Sequence, residues 1–224
     1  MRTDPMVNAS RVPSDTAAMV QPGKAVRSPL LLSSMRFGLA GFVVGVAGLV
    51  AFSSESAAQT GATPASSLVP FVTRAADYDR HFVARAGGRL EILVTFNASE
   101  STSEVAAKEV ASAFGKAEKI AGLAHDERVE PYVGAESLAA ETRSTQTAIV
   151  IISTGLGGEV RAIAHALDGI DVLTVALDPD DVSRGIVLGL DTREAKPKIL
   201  VRLAQARRQD VAFEAAFLSL ARIE

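Results

Sequence analysis

Three segments carry the residue types best suited to binding or reaction. The first is Ser153-Thr154-Gly155-Leu156-Gly157-Gly158, standing between an apolar run and a stretch of helical periodicity. Glycines let a backbone approach an anion, and a helix start offers free N–H groups. The run is not G-x-G-x-x-G and lacks the lysine of a P-loop, so a flexible strand-to-helix turn is the simpler reading. The second is Asp178, Asp180 and Asp181. Three carboxylates suit a hard cation, but the remaining ligands of a calcium loop are missing, and Asp beside a turn is ordinary capping chemistry. No metal is expected. The third begins at Asn97, directly after an apolar alternation.

The other reactive residue types do not assemble. His81, His125 and His165 are scattered, with no i, i+4 pair to hold zinc. His165 lies beside an apolar stripe and reads as a boundary residue. No G-x-S-x-G elbow is present. With neither an activated nucleophile nor an acid–base pair, the chain is expected not to be an enzyme and to need no cofactor. There is no cysteine, which removes disulfide staples, thiol catalysis and Cys-ligated zinc. There is no tryptophan either, which disfavours a carbohydrate-stacking surface.

The elements that position these loops follow from periodicity. A helix is expected after Pro70, burying Phe71, Val72 and Ala75. Leu90, Ile92 and Val94 alternate as a buried strand. Ser101 and Glu104 have capping-box spacing, and Ala106, Val110, Ala113 and Phe114 fall on one helical face. A short strand at 127–133 and a short helix at 135–143 follow. Residues 147–153 (TAIVIIS) are a near-continuous apolar run, the mark of a central strand covered on both faces. Val160, Ile163, Ala164 and Leu167 keep helical register until Asp168 and Gly169 stop it. Residues 171–177 read as a buried strand, 178–184 as a turn or one-turn helix, and 185–203 as two strands around a polar turn. Phe213, Ala216, Phe217 and Leu220 close the chain as a helix.

Strands alternating with helices predict an α/β fold: a three-layer sandwich with a mostly parallel sheet, ending in an antiparallel hairpin, and a C-terminal helix packed on it. In such sheets small ligands gather beyond the carboxyl ends of the strands. All three loops lie there. The candidate ligand- or partner-binding set is therefore Asn97, Ser153, Thr154, Gly155, Gly157, Gly158, Asp178, Asp180 and Asp181.

The N-terminal quarter has a different character. Phe37 to Phe52 is apolar and glycine-rich, preceded by Arg36 and followed by Ser56 and Ala58. As a helix it would reach roughly 24 Å, short of the ~30 Å hydrocarbon core. This is the pattern of a secretory signal over 35–58, cleaved near Ala58. An N-terminal membrane anchor and a buried core helix are the alternatives. Residues 1–34 have no apolar periodicity and read as a disordered head or a misassigned start; 59–67 read as a small-residue linker; 68–224 read as the folded domain. Losing residues 1–58 takes the basic count from 23 to 18 and the acidic count from 26 to 23, a net charge of about −5. No run of basic residues is dense enough for a phosphate backbone, so nucleic acid is not an expected partner.

The last third, from Val172-Leu173-Thr174-Val175 through Gly185-Ile186-Val187, Ile199 to Leu203, Ala206-Arg207-Arg208 and Phe217 to Ala221, resembles the C-terminal part of the YfiR-like family of exported bacterial proteins. The earlier ADYDRHFVARAGGRLEILVTF is similar to a subgroup with a YDRN…RAG segment before its first strand. The resemblance spans roughly 68–224. It departs from commoner members in lacking their Trp-Pro segment and their cysteines, and in carrying Arg202-Leu203 where they have Asn-Leu. The family's best-understood member restrains an inner-membrane diguanylate cyclase through the cyclase's periplasmic sensor part.

The resemblance implies a periplasmic, non-catalytic regulatory module that binds a membrane signalling protein: a cyclase, kinase or receptor. A small-molecule ligand and a homodimer stay open. A solute-binding component of a transport system is the alternative, although a two-lobed binder needs about twice this chain. A hydrolase is disfavoured by the missing constellation.

Overall fold

A computed structural model describes residues 62–224. The signal peptide expected over 35–58 and the head before it lie outside the described residues. The chain builds α1 (Ala65–Asp77), α2 (Phe82–Ala86), β1 (Leu90–Phe96), α3 (Ser101–Phe114), β2 (His125–Pro131), α4 (Ala135–Ser144), β3 (Ile149–Ile152) and α5 (Val160–Ala166). It continues with β4 (Leu173–Ala176), α6 (Asp180–Arg184), β5 (Leu188–Asp191), β6 (Lys198–Val201), α7 (Leu203–Arg208), α8 (Ala215–Leu218) and β7 (Ala221–Ile223).

The seven strands form one sheet in the order β2-β1-β3-β4-β5-β6-β7. All neighbours are parallel except β5 and β6, which pair antiparallel. Successive side chains along a strand point to opposite faces. Ile92, Val94, Ile149, Ile151 and Val175 therefore join one core, shared with residues of α1, α3 and α8. Leu93, Val150, Ile152 and Ala176 join the other, shared with α4, α5 and α6. The sheet is covered on both faces, which is the expected α/β sandwich. Among the described residues, no helix is long and apolar enough to cross a membrane.

Four local expectations are corrected. The first helix does not wait for Pro70; it begins at Ala65 and runs through that proline. Residues assigned to the linker are docked: buried Thr63 donates from its N–H to the Leu177 carbonyl at 2.9 Å and from its hydroxyl to the Leu190 carbonyl. Satisfying these backbone groups at the ends of β4 and β5 ties the segment down. The capping box fails, because Glu100 takes the N-cap position and no side chain caps α3; Ser103 does the anchoring instead.

At the other end the sheet does not finish on the hairpin. The expected long terminal helix is only the single turn α8, after which β7 pairs parallel to β6. Edge strand β6 gains a partner this way, and the Glu224 N–H donates to the Val201 carbonyl at 2.9 Å. Leu220, placed on the helical stripe, is 61% exposed.

One buried ion pair ties the α2 segment to the C-terminal part of the domain through its further hydrogen bonds. Arg85 Nη1 meets Asp79 Oδ2 at 2.6 Å, with both side chains almost wholly buried. The same guanidinium donates to Asp171 and to the Asp210 carbonyl. The other Asp79 oxygen accepts from the N–H groups of His81 and Ala212. Nearby, Phe217 packs at 4.9 Å from Phe213 and 5.9 Å from Tyr78, ring centre to ring centre.

Two outcomes follow. Arg85→Met strands the Asp79 carboxylate and should cost about 3–5 kcal/mol in urea unfolding, the usual loss when one member of a buried pair is removed. Phe217→Ala empties a fully buried ring site and should cost about 3–5 kcal/mol by the same measurement. A loss under about 1 kcal/mol in either would contradict the packing described.

Candidate functional site

The order β2-β1-β3-β4-β5 reverses direction between β1 and β3. Loops leaving the two strands there diverge to opposite faces, and this is where open α/β sheets form their ligand crevice. The loop after β1 contains Asn97; the loop after β3 is the glycine-rich run. They meet. Asn97 Nδ2 donates to the Gly155 carbonyl at 2.9 Å and to Glu100 Oε1 at 3.0 Å.

Beneath this contact lies a serine stitch. The Asn97 N–H donates to Ser103 Oγ at 2.9 Å, Ser103 Oγ donates to the Thr154 carbonyl, and Ser153 Oγ donates back to the Ser103 carbonyl at 2.8 Å. Ser103 and Ser153 are both fully buried. Their hydroxyls satisfy backbone groups at the start of α3 and the end of β3, so they hold the loops rather than face a ligand.

The glycine-rich loop is a strand-to-helix turn, and the anion it approaches belongs to the chain. Gly155 has φ 82°, and a Cβ there would overlap the Glu100 carboxylate. The Glu100 carboxylate thus lies directly against the backbone of Gly155. Gly157 has a comparable reason: a Cβ would lie 2.6 Å from Arg184 Nη1. Gly158 has open space around it.

The acidic cluster disperses. Asp178 Oδ1 accepts from the Asp180 N–H at 3.0 Å, a local turn. Asp180 is exposed and meets Arg193 of the β5–β6 hairpin at 3.0 Å. Asp181 turns inward, 1% exposed, and pairs with Arg184 at 3.0 Å. Its second oxygen, Oδ2, has no hydrogen-bond partner. Burial first, then the neighbouring Asp178 charge, pushes the Asp181 carboxyl up to about 6, against the opposing pull of Arg184. Among the described residues no group of three His, Cys, Asp or Glu side chains is arranged to hold a metal ion.

The structure therefore gathers Asn97, Ser153, Thr154 and Gly155 at the switch point, and links Gly157 to Asp181 through Arg184. Sequence reasoning missed four participants: Glu100, Arg184, Tyr132 and Val133. Tyr132 OH contacts Glu159 at 3.3 Å, and its phenol is raised by burial and by that carboxylate. Val133 stands 76% exposed on the same end of the sheet. Glu100 could have been found from its position three residues after Asn97; the others are brought in only by folding.

Residues 112–222 match the profile of the YfiR/HmsC-like family. This stretch of the chain is YfiR/HmsC-like. It holds the glycine-rich loop and the three aspartates, whereas Asn97, Glu100 and the Asp79–Arg85 pair precede it. No curated protein matches the sequence. Among solved structures, the ABC domain of Streptococcus pneumoniae in complex with L-Trp superposes with a TM-score of 0.51 at 11% identity, covering 71% of this chain and 61% of that one. A conserved domain protein from Vibrio cholerae aligns with a TM-score of 0.48 at 12% identity, covering 72% and 60%. The chain thus spans under two thirds of either, and the first likeness is one of fold.

The buried Asp181 gives a pH signature. Its carboxyl is raised in the folded state above the ordinary 3.8. The folded form therefore holds the proton more tightly, so this contribution to stability is complete below about pH 3.8 and lost as pH rises through about 6. Asp181→Asn, isosteric with the protonated acid, should stabilise the fold by about 1–3 kcal/mol at neutral pH. The gain should vanish at acid pH. Thermal unfolding of both proteins across that range checks it; a gain independent of pH would refute the assignment.

Proposed function

We propose that the chain is an exported, non-catalytic regulator that binds one conformational state of a membrane signalling protein, such as a diguanylate cyclase, kinase or receptor with a periplasmic domain. The YfiR/HmsC-like match supports the class. The observation that carries the reading is the filled crevice. Glu100 lies against Gly155 and Asn97 bridges the two loops, so the switch point presents a surface rather than a cavity for a small ligand. The cavity beside it, between the ends of β1 and β2, measures only about 10 Å³.

The contact surface is this end of the sheet: exposed Gly155, Gly158 and Asp180, with the 76% exposed Val133 as its apolar element. A binder of this kind acts by differential affinity, and about 1.4 kcal/mol of difference between the partner's two states moves their ratio tenfold. Periplasmic residence, with cleavage near Ala58, is part of the same proposal.

A solute-binding component is the second reading. It is favoured by the fold likeness to the ABC domain solved with L-Trp, of which this chain covers 61%. The filled crevice counts against it.

The test is genetic. Deleting the gene should change the output of the signalling protein encoded beside it, and the wild-type gene should restore it. Val133→Glu combined with Asp180→Lys should fold normally yet fail to complement. Unchanged output on deletion defeats the regulatory reading; full complementation by the double variant defeats only the surface.

A further inference from the structure

The chain is acidic overall, with a formal net charge of −3 at pH 7. One cleft has the opposite character. A cavity of about 330 Å³ opens between α5, the end of α6 and α7. Every ionisable side chain that lines it is basic: Arg161, His165, Arg184, Arg202 and Arg208.

Small residues make this gathering possible. Gly185 has φ 139°, and a Cβ there would lie 2.6 Å from Ala164 Cβ. With no side chain at Gly185, the end of α6 comes into contact with α5, and both residues line the cleft. The left-handed φ and the missing Cβ each require glycine. On the third side, buried Gln205 is fixed by donating to the Ala164 carbonyl and to Asp168, both at 3.0 Å.

The charges are only partly answered. Arg184 pairs with Asp181 at 3.0 Å, while Arg208 and His165 share Asp168 at 3.8 and 3.6 Å. Among the described residues, Arg161 and Arg202 have no carboxylate partner. Arg202 is nevertheless held in place, donating to the Ser183 carbonyl at 2.7 Å. Guanidinium groups do not lose their charge in proteins, so two permanent positive charges line the cleft without a carboxylate partner. A cleft lined by one sign of charge focuses its field and concentrates counter-ions. Guanidinium forks match the geometry of carboxylate and phosphate oxygens. The volume falls at the lower end of small-ligand sites, roughly 300–1,000 Å³.

We infer that this cleft binds a small dianion presenting oxyanion groups to Arg161 and Arg202. A phosphate ester and a dicarboxylate are its two chemical sources. The inference is independent of the regulatory reading, because binding is read on the purified chain without any partner.

The experiment is calorimetric titration of the purified chain at low ionic strength with three probes: inorganic phosphate, pyrophosphate and succinate. At least one should saturate with one ligand per chain. A phosphate probe saturating identifies the first source, succinate the second. Arg161→Ala and Arg202→Gln should each weaken that binding about tenfold or more, as expected for losing a charge-assisted contact. Arg161 has no partner to lose, so its substitution leaves the fold intact. Arg222→Ala, outside the cleft, should bind as the wild type does. Failure of all three probes to saturate overturns the inference. So does equal weakening by Arg222→Ala.

Discussion

The buried contact between Asp79 and Arg85 is the constraint on which the rest of the domain hangs. An arginine and an aspartate this deep in apolar surroundings are tolerated only if their hydrogen-bonding groups find partners. Those partners come from distant parts of the chain: Asp171 before β4, and the backbone of Asp210 and Ala212 before α8. The pair therefore cannot form unless the N-terminal helices and the C-terminal segment are both in place. It gives a physical reason for the YDR…RAG pattern. The aspartate and the later arginine of that pattern are the two charges, Gly87 ends α2 in the left-handed conformation, and β1 starts within reach of the core.

From that clamp the layers follow. With α1 and α8 held over one face, β1 and β3 become interior strands of a doubly covered sheet, and their carboxyl ends define the crevice. In many folds of this order the crevice stays open for a ligand. Here Glu100 and Asn97 occupy it, and Ser103 and Ser153 stitch its walls. The glycines serve close approach, as their type suggests, but to groups of the chain itself: Gly155 to Glu100 and Gly157 to Arg184. The deeply buried Asp181, with one oxygen unpartnered, is the strained member of this end of the molecule.

Arg184 stands between two surfaces. It contacts Asp181 and lies beside Gly157 on the strand-end side, and it also lines the basic cleft. The cleft draws on α5, α6 and α7, elements spread over nearly fifty residues of sequence. No stretch of the sequence is basic enough to announce it, and the chain's acidic balance points the other way.

The sequence carries the layer architecture in its local patterning. Apolar runs such as Ile149–Ile152 and the 3.6-residue period from Val160 to Leu167 are local consequences of which faces must be buried, so they are legible without coordinates. It also placed Asn97, the glycine-rich loop and the aspartates at strand ends, because strand-to-helix junctions are local. It misread the two ends of the folded domain: Pro70 does not start a helix, and the period of Phe213, Phe217 and Leu220 makes only a single turn. There the deciding forces are non-local. Thr63 docks on Leu177 and Leu190, and β7 completes the edge of β6. Only tertiary structure turned Glu100 into the occupant of the crevice, paired Asp180 with Arg193 of the β5–β6 hairpin, and drew four separated arginines around Ala164 and Gly185. Burial periodicity is written residue by residue, whereas the pairing of charges depends on distances between segments that the chain order does not contain.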